Sequence, residues 1–227
     1  MSVIIDPYLW HEATIIKIVS ESAEAVSLQL DLVGQDYDFA CGQHTVVRVT
    51  LPDGSRVMRQ YSFASAPGSQ EIWLTVIHTP AGLVSGWFTQ TARVGDRIEI
   101  SQPFTGPLVQ DLADANICMI AGGSGIAPLM SHLRARHSQH RLTTLLYSTR
   151  SESRCYENEL ASLTDHTIHV RLTDMQHRLS QEDIDRYCAD SNAVLICGSR
   201  QFVDSMRHYV RESFPQLPIH AEAFSLT

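Results

Sequence analysis

The strongest chemical signal in the sequence is a run of glycines after a short apolar segment. Residues 117–128 read ICMIAGGSGIAP, so a buried strand leads through Gly122, Gly123 and Gly125 into a helix with Pro128 in its first turn. Glycine lets the backbone approach a phosphate closely, and the free amides at a helix N-terminus favour negative charge. Close packing of a strand on a helix also requires glycine. The pattern predicts a phosphate site, with packing as the alternative.

Two further motifs lie in the first half of the chain. Arg59, Tyr61 and Ser62 end a β-rich run, a pattern that a simple cross-strand pair would also produce. Gly82 and Ser85 suit a glycine turn into a helix, with Ser85 near the N-cap, and need no ligand to explain them. Taken alone, each motif is more typical of ordinary structure than of a binding site.

A fourth motif, Cys197-Gly198, ends a buried β-rich run, where a core cysteine is the simplest interpretation.

The remaining cysteines and the histidines lack the spacing of a metal centre. The five cysteines form no CxxC pair, which argues against a disulfide framework, an iron–sulfur cluster and a zinc site. The histidines that invite a metal interpretation are His132, His137, His140, His166 and His169. We interpret them as polar surface residues and expect no metal site.

The elements that must position these motifs change character near residue 106. Before it, β-rich runs separated by turn residues predict a small antiparallel barrel of Greek-key type. The expected strands are Thr14–Val19, Ala25–Leu30, His44–Leu51, Arg56–Phe63, Ile72–His78 and Arg97–Ser101. A short helix is expected from Gly82 to about Thr91.

After Pro107, strands and helices alternate, which predicts a doubly wound parallel sheet that binds a nucleotide at the carboxyl ends of its strands. The expected strands are Ile117–Ala121, Thr143–Tyr147, Thr167–Leu172 and Ala193–Cys197, and the expected helices are Ile126–Arg136, Tyr156–Leu163, Gln181–Tyr187 and Gln201–Ser213. We expect a β domain at residues 1–106 and an α/β domain at 107–227, joined by a linker within 104–116.

Length, composition and charge exclude several classes of protein. The 227 residues, 44% hydrophobic and 19% charged, suffice for one or two globular domains. Asp and Glu number 25 against 17 Lys and Arg, and a net charge of -8 disfavours nucleic acid as a partner. The N-terminus lacks a basic leader and no apolar run is long enough to span a membrane, so we expect a cytoplasmic protein with reduced thiols.

In this order the motifs resemble the ferredoxin–NADP reductase family, in which a flavin-binding barrel precedes a nicotinamide-nucleotide domain. The matching residues are Arg59, Tyr61, Ser62, Gly82 and Ser85 in the first half, and Gly122, Gly123, Gly125, Pro128, Cys197 and Gly198 in the second. Glu222 and Phe224 resemble the acidic and aromatic residues that these reductases place beside the flavin. The resemblance covers almost the entire chain. One departure is Ser199, which stands where the family often has proline.

In the barrel, the resemblance implies that Arg59 binds a flavin phosphate, because a guanidinium matches phosphate oxygens. Tyr61 would stack on the isoalloxazine ring and Ser62 would hydrogen-bond near its N5 atom. The amides around Gly82 and Ser85 would hold a phosphate at a helix N-terminus.

In the second domain, the resemblance implies that residues 122–128 seat the nicotinamide nucleotide, with Cys197 close to the transferred hydride. Glu222, with Ser62 as a relay, would exchange the flavin proton. Arg150 follows the second parallel strand, where the family reads the ribose 2′ position. An arginine there suits NADPH rather than NADH, although it could equally pair with a nearby acid such as Glu157.

The implied function is an FAD-dependent reductase that takes a hydride from NADPH or NADH. Electrons would then pass singly to a separate acceptor, such as ferredoxin, an oxygenase or a haem protein, since the cysteine cluster of a [2Fe–2S] domain is absent from the sequence. One alternative is a flavin reductase, for which free FMN or FAD is the substrate. Another is a non-catalytic regulatory subunit that binds the cofactors. How tightly flavin is held distinguishes the first two.

Overall fold

The computed structural model describes residues 7–32, 34, 36–69, 71–112, 115–175 and 178–224. The first half of the chain forms six antiparallel strands. They are β1 (Trp10–Ser22), β2 (Ala25–Asp31), β3 (His44–Thr50), β4 (Arg56–Ser62), β5 (Ile72–Ile77) and β6 (Arg97–Ser101). Their order in the sheet is β4-β3-β6-β1-β2-β5, and a bridge between Phe63 and Leu74 joins its two edges. The predicted antiparallel barrel is therefore confirmed.

One apolar core fills this barrel. Alternate residues of each strand point inward, and the side chains of Leu28, Phe63, Leu74 and Ile100 are fully buried. A single helix, α1 (Leu83–Gln90), closes one end of the barrel by placing Val84 and Phe88 in the same core. This helix confirms the expectation of a short helix between β5 and β6.

The second half forms a parallel sheet with helices on both faces. Its strands are β7 (Ile117–Gly122), β8 (Thr144–Thr149), β9 (Thr167–Leu172), β10 (Ala193–Ser199) and β11 (Ile219–Phe224), in the order β11-β10-β7-β8-β9. The helices are α2 (Ile126–Ser138), α3 (Glu157–Ser162), α4 (Gln181–Cys188) and α5 (Arg200–Ser213). Apolar residues of α2 and α3 pack on one face of the sheet, and those of α4 and α5 pack on the other. The doubly wound architecture is confirmed.

The sequence analysis did not predict β11, which lies at the edge of the parallel sheet. Its residues are mostly half-buried and include His220 and Glu222, so it lacks the continuous apolar run of a central strand. None of the helices in the described ranges has both the length and the apolar character needed to cross a membrane.

Polar contacts join the barrel to the α/β domain. The guanidinium of Arg134 binds both carboxylate oxygens of Glu159, at 2.6 and 2.7 Å, and also donates to the carbonyl oxygen of Ala64, at 2.7 Å. The hydroxyl of Ser131 donates to the carbonyl oxygen of Ser65 at 2.7 Å. Ala64 and Ala25 of the barrel also belong to the core beneath α2. The two sheets are thus held in a defined arrangement.

Two of the histidines that we interpreted as surface residues are buried, so that interpretation was wrong for them. The side chain of His132 is 5% exposed, and its Nε2 lies 3.0 Å from the carbonyl oxygen of Leu108. His166 is also buried, and its Nε2 lies 3.1 Å from Nδ1 of His137. Helix α2 is buried over residues 126–133, because it packs on the sheet and also contacts the barrel at Ser65 and the chain at Leu108.

His132 should make the protein less stable in acid. Burial lowers the pKa of His132 from 6.5 to about 4, so between these values the unfolded chain binds a proton that the folded chain does not. The free energy of unfolding should therefore fall by about 3 kcal/mol as the pH falls from 6.5 to 4. Urea unfolding at several pH values would measure this loss.

The variant His132→Gln keeps an N–H donor for Leu108 and cannot titrate, so its stability should depend less on pH over this range. His208→Gln, at a histidine whose side chain is 73% exposed, is the matched control. An unchanged pH dependence in His132→Gln would contradict the prediction.

Candidate functional site

A cavity of about 600 Å³ lies between the barrel and the α/β domain. Its wall contains seven of the residues selected from the sequence: Arg59, Tyr61, Ser62, Gly82, Ser85, Glu222 and Phe224. They come from the end of β4, the start of α1 and the end of β11. Residues far apart in the sequence thus meet in one place, which we call the first cavity.

Arg59 supplies a positive charge to this wall. Its side chain is exposed, and Nη1 donates to the carbonyl oxygen of Met58 at 2.8 Å. Among the described residues it has no carboxylate partner within salt-bridge distance, so the charge is available to an anion. The ring of Tyr61 meets Phe88 of α1 edge-on, with ring centroids 5.8 Å apart, and this contact fixes the tyrosine beside the cavity.

The N-terminus of α1 adds further donors. Gly82 is the N-cap, in an extended conformation and without a capping side chain, so the first amides of the helix remain free. The Ser85 hydroxyl donates to the carbonyl oxygen of Gly82 at 3.3 Å and accepts from the amide of Thr79 at 3.2 Å, which tightens the turn. A Cβ atom on Gly82 would lie 2.5 Å from this hydroxyl oxygen.

Glu222 places a carboxyl group on the opposite wall. It lies on β11, in register with Cys197 of β10. Burial raises the pKa of Glu222 above its ordinary value, and none of the other described residues hydrogen-bonds to its carboxylate. Ser62 lines the same cavity, but no direct hydrogen bond between Ser62 and Glu222 occurs in the described chain. A carboxyl group in this state is suited to exchanging a proton.

A second cavity, of about 570 Å³, lies at the carboxyl ends of β7, β8 and β10. Gly122, Gly123 and Arg150 from the sequence analysis are in its wall. It shares two wall residues, Ile77 and Ser124, with the first cavity. A ligand in one cavity can therefore approach a ligand in the other. This is the edge of a parallel sheet where nucleotides bind.

Close packing or backbone conformation requires several of the glycines selected from the sequence. Gly123 has φ of +52°, a left-handed conformation that favours glycine. A Cβ on Gly122 would lie 2.6 Å from the ring of Phe202, and one on Gly198 would lie 2.7 Å from it. Gly125 lies against the backbone of β10. Packing therefore explains these glycines, and the phosphate site at the turn stays a prediction.

Four selected residues do not reach either cavity wall: Gly125, Pro128, Cys197 and Gly198. The thiol of Cys197 is fully buried, and this burial raises its pKa well above the ordinary value. Pro128 is buried in the first turn of α2. The contact between Cys197 and a transferred hydride therefore stays a prediction.

Arg150 lies at the edge of the second cavity with a carboxylate already beside it. Its Nη2 donates to Oε2 of Glu24, in the barrel, at 2.8 Å. Glu157, which the sequence suggested as a partner for Arg150, instead pairs with Arg154 at 2.8 Å.

Other wall residues, notably Ile77, Ser124 and Phe202, carried no signal that we used in the sequence. Phe202 and Met206 stand four residues apart, a helical spacing that could have indicated one face of α5.

Ser199, the departure from the family's proline, is the N-cap of α5, and its hydroxyl accepts from the amide of Phe202 at 3.4 Å. Serine suits an N-cap, which explains its presence here.

The first cavity fits a flavin dinucleotide in size and chemistry. Its volume is within the range of cofactor sites. The guanidinium of Arg59, which has no carboxylate partner among the described residues, and the free helix amides are suited to phosphate oxygens. The described chain contains no group of three or more His, Cys, Asp or Glu side chains arranged to hold a metal ion.

Comparisons with known proteins agree with this architecture. Residues 12–107 match the family model of an oxidoreductase FAD-binding domain, and residues 119–208 match that of an oxidoreductase NAD-binding domain. The FAD/NAD-binding domain of a nitric oxide dioxygenase from Vibrio cholerae has a TM-score of 0.83 at 21% identity, covering 94% of this chain and 98% of that one. Phthalate dioxygenase reductase has a TM-score of 0.79 at 24% identity, covering 98% and 70%.

Two curated relatives are similar in sequence. A flavohemoprotein from Candida albicans is 27% identical over 96% of this chain and 60% of its own length. The ferredoxin reductase component of 3-ketosteroid-9-alpha-monooxygenase from Mycobacterium tuberculosis is 29% identical over 94% of this chain and 65% of its own. The chain thus spans about three fifths of the length of these relatives. It belongs to the ferredoxin–NADP reductase-like family of oxidoreductases, with an FAD-binding domain followed by an NAD(P)-binding domain.

Proposed function

We propose that this protein is a flavoprotein reductase that takes a hydride from NAD(P)H and passes electrons singly to a separate acceptor. The observation that carries the proposal is the common wall of the two cavities at Ile77 and Ser124. A nicotinamide in the second cavity can reach a flavin in the first without either leaving its site, and such proximity supplies much of the catalysis. Bound FAD supplies the conversion from two-electron to one-electron transfer.

Residues of the first cavity bind and orient the flavin. Arg59 and the amides at the start of α1 bind its phosphates, because both offer donors to negative oxygens. Tyr61 packs its ring against the flavin, and the hydroxyl of Ser62 hydrogen-bonds near N5. Glu222 holds a proton for exchange, which its raised pKa favours. Phe224 covers the site from the end of β11 and excludes water.

Residues of the α/β domain, which we place at 107–227, bind the nucleotide. The amides of Gly122 and Gly123 and the N-terminus of α2 face its phosphates. Gly125, Cys197 and Gly198 shape this wall from behind, because the close approach of Gly125 to the other two sets the spacing between α2 and β10. Pro128 lies in a buried position in the first turn of α2.

The acceptor is a redox protein, such as ferredoxin, an oxygenase or a haem protein. Support comes from the relatives, one of which is named as the ferredoxin reductase component of a monooxygenase and another as a flavohemoprotein.

An anaerobic titration tests the proposal. The purified protein is dialysed, and NADH or NADPH is added while flavin absorbance is followed at about 450 nm. Bleaching of a retained flavin, followed by turnover with a one-electron acceptor, is the expected result. A colourless protein that oxidises NAD(P)H only with added free flavin would make it a flavin reductase. A protein that retains flavin but reacts with neither nucleotide would overturn the proposal in favour of a non-catalytic subunit.

The variant Arg59→Gln should bind FAD about 10- to 100-fold more weakly, because a charge-assisted hydrogen bond contributes about 1.5 to 3 kcal/mol. Quenching of flavin fluorescence during titration of the apoprotein would measure this. Arg56→Gln, on an exposed residue at the other end of β4 and outside the cavity wall, is the control. Equal FAD affinity in the two variants would remove Arg59 from the phosphate site.

A further inference from the structure

The loop after β8, residues 150–153, lies where a doubly wound sheet reads the ribose of a dinucleotide. Arg150 and Ser153 of this loop line the second cavity. An arginine and serines beside a ribose would normally suit the 2′-phosphate of NADPH. Here, however, the donors of the loop are already engaged by two carboxylates.

The first carboxylate is Glu24, which comes from the barrel. Its Oε2 accepts from Nη2 of Arg150 at 2.8 Å and from the hydroxyl of Ser153 at 2.9 Å. The backbone fixes Glu24 in this position. Its amide donates to the carbonyl oxygen of Glu152 at 3.0 Å, and its carbonyl oxygen accepts from the amide of His78 at 2.7 Å. The turn between β1 and β2 is thus attached to the loop at both main chain and side chain.

The second carboxylate is Asp174, which follows β9. It accepts from the amide of Ser151 at 3.0 Å and, through its other oxygen, from the Ser151 hydroxyl. These hydrogen bonds lower the pKa of Asp174, so it is ionised at neutral pH. Asp174 thus places a second negative charge beside the loop, at the residue that follows Arg150.

We propose that Glu24 and Asp174 make this protein select NADH over NADPH. The inference rests on the proposed function, because it concerns the nucleotide of that reaction. A 2′-phosphate that bound Arg150 and Ser153 would have to displace Glu24 from both, and the charge of Asp174 beside Ser151 would add to the repulsion. A ribose 2′-hydroxyl adds no negative charge and can donate a hydrogen bond to a carboxylate. The sequence alone suggested the opposite preference, because it shows Arg150 without its partner from the other domain.

The test measures binding without flavin chemistry. Calorimetric titration of the purified protein with ADP-ribose and with 2′-phospho-ADP-ribose gives the ratio of their dissociation constants. The wild type should bind ADP-ribose at least about tenfold more tightly. Glu24→Gln should tighten binding of the 2′-phosphorylated ligand about five- to tenfold and change binding of ADP-ribose little.

Two further variants make the test specific. Asp190→Asn removes one negative charge from an exposed residue outside both cavity walls, and the ratio should stay that of the wild type. In the double variant Glu24→Gln/Arg150→Gln, the tighter binding of the 2′-phosphorylated ligand should be lost, because that binding depends on the freed guanidinium of Arg150.

Three results would overturn the proposal. The first is that the wild type binds the 2′-phosphorylated ligand more tightly than ADP-ribose. The second is that Glu24→Gln, with thermal stability like the wild type, leaves the ratio of the two dissociation constants unchanged. The third is that Asp190→Asn changes this ratio as much as Glu24→Gln does. In all three results at least one ligand still binds, so the proposed reductase function is not contradicted. If neither ligand binds the wild type, the nucleotide site fails and both proposals fall together.

Discussion

Replacing Gly125 with alanine should destabilise the α/β domain by about 3 kcal/mol or more, as expected for overpacking against groups that cannot move. A Cβ on Gly125 would lie 2.6 Å from the amide nitrogen of Gly198 and closer still to the carbonyl group of Cys197. These are backbone atoms of β10, which is paired with β7 on one side and β11 on the other. The strand cannot shift without breaking that pairing, and α2 cannot shift without moving its buried first turn.

Thermal unfolding followed by circular dichroism would measure the effect, with an expected fall in Tm of about 6 to 12 °C. Gly86→Ala is the matched control. It lies inside α1, where the nearest atom to an added Cβ is Cε1 of His78 at 3.9 Å. Alanine in a helix interior gains up to about 1 kcal/mol over glycine, so this variant should be as stable as the wild type or more so. Similar losses in the two variants would mean that the contact with β10 is not the cause.

The sequence predicts the glycine turn because both of its explanations require the same residue. A strand that leads into a helix through glycine brings the chain close to a neighbouring backbone, and the same geometry exposes amides to a phosphate. The first-cavity residues were identifiable for a similar reason. Arg59, Tyr61 and Ser62 lie within four positions of one another, and Gly82 and Ser85 are close together, so each group forms a short motif that can be matched to the pattern of the family.

Three features that the sequence missed depend on contacts between distant segments. Glu24 and Arg150 are 126 positions apart and come from different domains, so nothing local to either residue indicates their pairing. His132 is buried, and its ring contacts the carbonyl oxygen of Leu108, 24 positions away in the sequence. The edge strand β11 forms because β10 provides an unpaired edge for it.

The variant Ser62→Ala should slow flavin reduction by NADH about 100- to 1,000-fold, the cost of removing one positioned hydrogen-bond donor from an active site. Ser62 is 7% exposed, ends β4 at the wall of the first cavity, and its hydroxyl has no partner among the described residues. The hydroxyl is therefore available to a bound flavin. Stopped-flow reduction under anaerobic conditions would give the rate, and fluorescence titration would give the affinity for FAD, which should change far less.

Ser65→Ala is the control, because Ser65 is also buried but lies outside the cavity wall. Its hydroxyl accepts from the amide of Trp73 at 3.1 Å, so this variant should lose some stability and keep its rate of flavin reduction. A comparable loss of rate in both variants would assign the effect to the barrel rather than to the reacting atoms.

The double variant Ser62→Ala/Glu222→Gln tests whether Ser62 and Glu222 move a proton together. No direct hydrogen bond joins the two residues in the described chain, so a relay requires the bound flavin or a water molecule between them. Groups that act as a unit have non-additive effects, and the second substitution should then cost much less than it does alone. Independent, multiplicative losses would instead mean that Glu222 exchanges its proton without Ser62.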